Sequence, residues 1–402
     1  MQDIERLYSQ RAKNFKASEI RELLKLTEKP DIISFAGGLP DPSMFPVDEI
    51  REATDHVMRH HCVSALQYGS TEGLKDLREH LAKSLMKDGV SNIGPDNVLI
   101  TAGSQQGLDL IGKVFCDPGD VALVGSPTYL GGINAFRSYQ AILKSVALDE
   151  NGMNTDFLEE RVTELKKMGI TPKFIYTIPN FQNPSGVVMS ESRRKKMVDI
   201  AAEHDLVVIE DDPYGKLRFD GEHVKPIKAF DDEGYVIYLG TFSKILAPGF
   251  RLAWMIGDAD VIRKFAIAKQ AVDLCTNMLA QTIAYECVKR GVIENHLPKI
   301  IKSYGEKRDI MLKAMDEHFP KDGCKWTRSQ GGMFTWVTLP EKVDTVRMFP
   351  EAVEAKVAYV NGKAFYVDGD GANTMRLNFS YSSKEQIKEG IKRLGAVLER
   401  HI

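Results

Sequence analysis

Short β-branched apolar runs alternate along this chain with longer stretches whose apolar positions recur at helical spacing. That alternation predicts an α/β protein with a largely parallel sheet. The runs read as strands are Asn97-Val98-Leu99-Ile100, Asp120-Val121-Ala122-Leu123-Val124, Pro172-Lys173-Phe174-Ile175-Tyr176-Thr177, Leu206-Val207-Val208-Ile209, Tyr235-Val236-Ile237-Tyr238-Leu239 and Leu252-Ala253-Trp254-Met255-Ile256. No internal repeat or low-complexity tract interrupts the pattern. Ligands of such sheets bind beyond the carboxyl ends of the strands. The polar residues at those ends are Ser104 and Gln105, Tyr129, Asn183, Asp211 and Tyr214, and Lys244, so several strand ends point to one crevice.

The run ending in Gly240-Thr241-Phe242-Ser243-Lys244 places two hydroxyls and a lysine at the mouth of a strand. A desolvated ammonium there loses its proton near neutral pH and becomes a carbonyl-seeking nucleophile, with a Schiff base as product. Taken alone, the same segment reads as a surface lysine after a strand. Ile100-Thr101-Ala102-Gly103-Ser104-Gln105 is a strand, a Gly-bearing turn and a helix start, where free N–H groups and the Ser104 hydroxyl could hold a phosphate. It lacks the nucleoside-triphosphate loop pattern, and alone it is equally a helix cap. Arg251 could give the same phosphate a forked guanidinium partner. Glu210-Asp211-Asp212 follows an apolar strand directly, and an anion fixed there could keep a pyridine nitrogen protonated and its ring electron-withdrawing. Asn180 to Gly186, around Asn183-Pro184, is a turn by composition.

The chain has 402 residues, 43% of them hydrophobic, and a formal net charge of −3, which permits a large core and offers no basic excess for nucleic acid. Five cysteines, Cys62, Cys116, Cys275, Cys287 and Cys324, stand far apart without disulfide or metal spacing, so a reducing cytoplasm is expected. No leader-like segment opens the sequence, and no apolar run approaches the roughly 20 residues of a membrane span. His60 and His61 are adjacent without a zinc pattern, and the charged runs Glu159-Glu160-Arg161 and Glu191 to Lys196 read as solvated helix faces.

With these residues in this order, the chain resembles the fold-type I pyridoxal-phosphate aminotransferases of the aspartate aminotransferase superfamily, over nearly its whole length. Ile32-Ile33-Ser34-Phe35-Ala36-Gly37-Gly38-Leu39-Pro40, with Ile20 to Leu26 before it, is similar to the branch of 2-aminoadipate and kynurenine/aminoadipate aminotransferases. The resemblance implies a large domain at residues 49–300, holding a mostly parallel seven-stranded sheet between helices. It implies a smaller, discontinuous α+β domain from residues 1–48 and 301–402, with Gly331 to Val337 as one of its strands.

It further implies pyridoxal 5'-phosphate as cofactor, joined to Lys244 as an aldimine. Asp211 would pair with the ring nitrogen, Asn183 and Tyr214 with its phenolate oxygen, and Tyr129 would stack on its face. Ser104, Gln105, Thr241, Ser243 and Arg251 would share the phosphate. Thr241 stands where the family usually has serine. Arg376 would fork onto the substrate carboxylate beside the Gly38 N–H, and Arg21 would contact the substrate side chain. Tyr68 would reach the phosphate of a neighbouring subunit, which implies a homodimer with shared sites. The implied reaction is ping-pong transfer of an amino group from an aminoadipate, aromatic or branched-chain L-amino acid to a 2-oxo acid such as 2-oxoglutarate. Two alternatives remain at this stage. The same cofactor residues serve β-elimination and decarboxylation, and some aminotransferase-like domains are ligand sensors fused to a DNA-binding helix-turn-helix. The chain opens on the catalytic arm, without the roughly 60 residues of a winged helix, so DNA binding is not expected.

Overall fold

The computed structural model describes residues 4–13 and 31–402. Its main sheet has eight strands, in spatial order Val98–Thr101, Ala253–Ile256, Val236–Thr241, Val207–Asp211, Phe174–Thr177, Val121–Ser126, Ile142–Asp149 and Gly152–Met153. Ala253–Ile256 is antiparallel to both its neighbours, Gly152–Met153 folds back on Ile142–Asp149, and the pairings between are parallel. All six strands read from the apolar runs are present, each displaced by no more than two residues at its ends. The seven-stranded expectation corresponds to the strands of four or more residues, with Gly152–Met153 as a short extension. Ile142–Asp149 is not among the apolar runs because two consecutive polar residues, Lys144 and Ser145, interrupt it near the sheet edge.

Strand periodicity accounts for the layers. Val121, Leu123, Ile175, Val208 and Val236 face Leu158 and Val162 of the helix Thr155–Lys167 and Met197 and Ala201 of the helix Glu191–His204. Their alternates Ala122, Val124, Phe174, Tyr176, Ile209 and Ile237 face Leu108 and Ile111 of Ser104–Phe115, Phe136 of Leu130–Ser138 and Phe265 of Ala259–Gln270. Each such side chain contributes about 1.5–3 kcal/mol when fully buried. The sheet is thereby closed on both faces, and only its strand ends are left to form a site.

One expectation is corrected here. Arg194, read as part of a solvated face, is fully buried. It lies on the stripe of its helix that carries Met197, Val198 and Ala201, and its guanidinium satisfies Met189 O, Lys225 O, Pro179 O and Asn180 Oδ1 at 2.7–3.1 Å. A charge is tolerated inside because each guanidinium nitrogen meets at least one acceptor.

A second, antiparallel sheet runs in the order Lys325–Trp326, Phe334–Thr338, Thr374–Asn378, Val360–Asn361, and it contains the strand expected around Gly331 to Val337. The helices Val292–His318 and Lys384–Leu398 pack together through Met311, Met315, Ile391 and Leu394 in the same core as this sheet. Lys307 of the longer helix, itself buried, donates to Asp41 Oδ2 at 2.7 Å and Ser380 O at 2.8 Å, while Tyr304 OH accepts from Asp41 N at 2.9 Å. These bonds fasten the Ala36 to Asp41 segment beside the strand that bears Arg376. Among the described residues, no helix is long and apolar enough to cross a membrane, and no histidine, cysteine and carboxylate group could hold a metal ion.

Candidate active site

A cavity of about 320 Å³ lies beyond the carboxyl ends of the main strands, and it gathers most of the residues singled out in the sequence: Gly38, Ser104, Gln105, Tyr129, Asn183, Asp211, Tyr214, Thr241, Ser243, Lys244, Arg251 and Arg376. Tyr68 is not among them. It is 78% exposed and borders a separate surface cavity with His60, His61, Val63 and Met278. Arg21 lies outside the described residues.

Lys244 follows the strand Val236–Thr241 by three residues, and its Nζ donates to Gly38 O at 3.0 Å. Gly38 therefore enters the site through its carbonyl, whereas its N–H was the group expected to serve. Burial, then the charges of Arg376 and Arg251, depress the lysine to about 8, so a reactive free amine is available near neutral pH. Asp211 ends the adjacent strand. Its Oδ2 accepts from Tyr176 OH at 2.8 Å, and Oδ1 is buried without a partner. Burial raises its carboxyl to about 7, against the opposing effect of the Tyr176 hydrogen bond. A cation at Oδ1 would restore the carboxylate.

Arg376 is held through both terminal nitrogens and by two aromatic rings. Nη1 donates to Asn183 Oδ1 at 2.9 Å, Nη2 donates to Ala36 O at 2.8 Å, and the guanidinium lies 4.2 Å from the Phe334 ring centroid and 5.1 Å from that of Phe365. Burial lowers it to about 10, which leaves it charged at neutral pH. Asn183 also hydrogen-bonds Tyr214, which stands edge-on to Phe334 at 5.9 Å.

The other end of the cavity is shaped for an anion. Gly103, at φ +90°, carries the chain from strand to helix so that Ser104 opens Ser104–Phe115. A Cβ at Gly103 would lie 2.4 Å from Arg251 Nη2, so glycine lets the guanidinium approach the turn. Arg251 itself sits in the left-handed region at φ +50°. Thr241 Oγ1 donates to Ser243 Oγ at 3.0 Å and accepts from Ser243 N at 3.1 Å, so the threonine is tied into the lysine turn. Gln105 Nε2 donates to Gly131 O at 2.9 Å and Tyr129 OH lies 3.5 Å from Gln105 Oε1, which fixes the tyrosine at the cavity wall.

Three buried polar atoms around this cavity lack partners: Ser104 Oγ, Asp211 Oδ1 and Arg376 Nε. Each costs about 1–3 kcal/mol while unpaired. A phosphorylated pyridine aldehyde would fit this arrangement: its phosphate could be met by Ser104 and Arg251, its ring nitrogen proton by Asp211 and its aldehyde by Lys244, which would leave Arg376 for a carboxylate. Two contributors escaped sequence reasoning. Tyr176 and Phe334 both stood in expected strands, but the pairings that set Tyr176 beside Asp211 and Phe334 under Arg376 join residues far apart in the chain.

Comparison with known proteins agrees with this chemistry. The family model for aminotransferase class I and II matches residues 30–394. Aromatic-amino-acid aminotransferase 1 of Thermococcus litoralis is 52% identical over 400 residues, spanning 100% of this chain and 96% of that protein. The crystal structure of Pyrococcus horikoshii kynurenine aminotransferase, in complex with PMP, KYN and KYA, superposes with a TM-score of 0.97 at 51% identity, covering 100% of this chain and 99% of that one. That of the alpha-aminoadipate aminotransferase of Thermus thermophilus, complexed with N-(5'-phosphopyridoxyl)-L-leucine, does so with a TM-score of 0.91 at 39% identity, covering 99% and 98%. The chain belongs to the class I and II aminotransferases, and it is a fold-type I enzyme that depends on pyridoxal phosphate.

Proposed function

We propose that this enzyme moves the amino group of an aromatic or 2-aminoadipate-type L-amino acid to 2-oxoglutarate in a ping-pong cycle. The observation that carries the reading is the convergence of a depressed lysine, an under-satisfied carboxylate and a buried, fully charged arginine on one cavity. The substrate class is supported by the names of the relatives, which act as aromatic-amino-acid, kynurenine and alpha-aminoadipate aminotransferases.

When bound, pyridoxal phosphate supplies an aldehyde for covalent capture of the amine and a protonated ring that withdraws electrons from the substrate Cα. The protein's residues do the rest. Arg376 grips the α-carboxylate with a guanidinium already oriented by Asn183, Ala36 O and Phe334, and the Gly38 N–H would donate to the same carboxylate. Lys244 would hold the cofactor's aldehyde through its free amine, and with substrate bound it would serve as the general base that carries the proton between the substrate Cα and the cofactor's C4′ carbon. Asp211 would hold the ring nitrogen's proton, Asn183 and Tyr214 would hold the phenolic oxygen, and Tyr129 would shield the ring from water. Ser104, Gln105, Thr241, Ser243 and Arg251 would bind the phosphate. Arg21 would set a preference for acidic substrates by pairing with their distal carboxylate.

The working unit in this reading is a cytoplasmic homodimer in which Tyr68 reaches the partner's phosphate. Its support is the exposure of Val63 at 83%, Leu66 at 64% and Tyr68 at 78%, an apolar surface that calls for cover. The test is steady-state kinetics with kynurenine, phenylalanine, 2-aminoadipate and leucine as donors, each against 2-oxoglutarate. Parallel double-reciprocal lines with aromatic donors, and an altered aminoadipate-to-leucine ratio in Arg21→Ala, are expected. Release of ammonia or carbon dioxide without 2-oxoglutarate would replace transfer by elimination or decarboxylation.

A further inference from the structure

Lys269 is a fully buried ammonium that no catalytic step requires, and it belongs to an uninterrupted chain of side-chain bonds leading to the turn before Ser104. It closes the helix Ala259–Gln270, and its Nζ donates to Asp273 Oδ1 at 2.9 Å and Thr71 O at 3.3 Å. Asp273 Oδ2 accepts from Gln106 Nε2 at 2.8 Å, and Gln106 Oε1 accepts from Ala102 N at 2.7 Å. Ala102 N–H is the donor that the strand leaves behind as it turns through Gly103 into the helix. The far end is equally fixed, because Ile100 N donates to Glu72 O at 2.9 Å and so sews the Thr71 segment to the strand that feeds the same turn. Gln281, fully buried below, accepts from Leu74 N and donates to Thr276 O, both at 2.8 Å.

We propose that the Lys269–Asp273 pair, acting through Gln106, is a positioning device that holds the Ala102-Gly103-Ser104 turn in the shape that receives the cofactor's phosphate. Three physical points carry this assignment. A buried ammonium is costly unless its partners are fixed, so Lys269 restrains Asp273 and Thr71 strongly in return. The side-chain amide of Gln106 is committed at both ends, which leaves it one geometry. The turn it caps cannot drift without moving Gly103 relative to Arg251, whose Nη2 would lie only 2.4 Å from a Cβ at that glycine. None of these groups lines the cavity, so Lys269, Asp273 and Gln106 act on the phosphate only through the turn.

The inference rests on the reading of Ser104 as a phosphate ligand, and the experiment separates the two. Apoenzyme is titrated with pyridoxal phosphate and with pyridoxal, which has the same aldehyde and ring but no phosphate. Dissociation constants are read from visible absorbance, for the parent, Ser104→Ala, Gln106→Met and Lys269→Met. Gln106→Met cuts the link without leaving a buried charge unpaired, and it therefore decides the matter should Lys269→Met fail to fold. The expected result is a loss of pyridoxal phosphate affinity of about tenfold or more in Gln106→Met and Lys269→Met, with pyridoxal affinity within about twofold of the parent. Equal losses for both ligands would reduce the pair to general structural support and overturn the proposal, as would unchanged pyridoxal phosphate affinity in Gln106→Met beside a clear loss in Ser104→Ala. No selective loss in Ser104→Ala would remove the phosphate role of the turn and the inference with it.

Discussion

Replacing Asp211 by asparagine should make the cofactor-free enzyme more stable while destroying its grip on the cofactor. Burial raises the Asp211 carboxyl from 3.8 to about 7. For an acid, a raised native value means stability fully present below the unfolded value of 3.8 and lost as pH rises through about 7. Above that point the native apoenzyme carries a penalty of about 4 kcal/mol, from about 1.4 kcal/mol per pH unit. Asparagine keeps the shape and the acceptor for Tyr176 OH, and it removes the charge that Asp212 repels. Its new amide N–H inherits the position of the unpartnered Oδ1, which takes back about 1–3 kcal/mol. A net gain of about 1–3 kcal/mol remains at pH 8.5 by this arithmetic, shrinking toward pH 5.5. Urea unfolding of apoenzyme at both pH values, at matched protein concentration, measures it, and added pyridoxal phosphate should then reverse the order by stabilising the parent alone. An Asp211→Asn apoenzyme no more stable than the parent at pH 8.5, or a difference that does not grow with pH, would refute the claim that this carboxylate is held against its own burial.

Two further outcomes follow from the same geometry. Phe334→Leu removes the ring beneath Arg376, and the lost cation–π contact, about 0.5–2 kcal/mol, should raise KM for amino acids by roughly 2–30-fold with cofactor affinity retained. Matching losses in both would place Phe334 in the fold rather than the substrate site. Capture of pyridoxal phosphate by apoenzyme, followed by stopped-flow absorbance, should accelerate as pH rises through about 8, where Lys244 becomes a free amine. Arg376→Met removes one of the two charges that hold the lysine down, so that midpoint should move to higher pH, and a fixed or falling midpoint would contradict the stated cause.

Much of the site was legible because local signals coincide with strand ends. An apolar run that stops at Asp211, or at Thr241-Phe242-Ser243-Lys244, announces both an element and its functional end. Ser104 and Gly103 were legible for the same reason, since a strand, a glycine at positive φ and a helix start follow in sequence. What could not be read depends on pairing between distant segments. Tyr176 is an ordinary strand aromatic until its neighbour strand is known, and Phe334 is core until Arg376 lies across it. Arg194 misleads in the opposite direction, because a charged residue on a helix reads as solvated unless acceptors from other elements surround it. Tyr68 is exposed in the single chain, and only an occupant of that surface would give it chemistry.

The central claim is that Lys244 carries amino-group transfer through bound pyridoxal phosphate. The most direct test is the visible absorption spectrum of the purified protein supplied with the cofactor, recorded before and after L-glutamate and then after 2-oxoglutarate, beside Lys244→Ala. The account predicts a lysine-dependent coloured band that bleaches with glutamate, returns with 2-oxoglutarate and is absent from the variant. A band of the same position and strength in Lys244→Ala, or no lysine-dependent band in the parent, would contradict it.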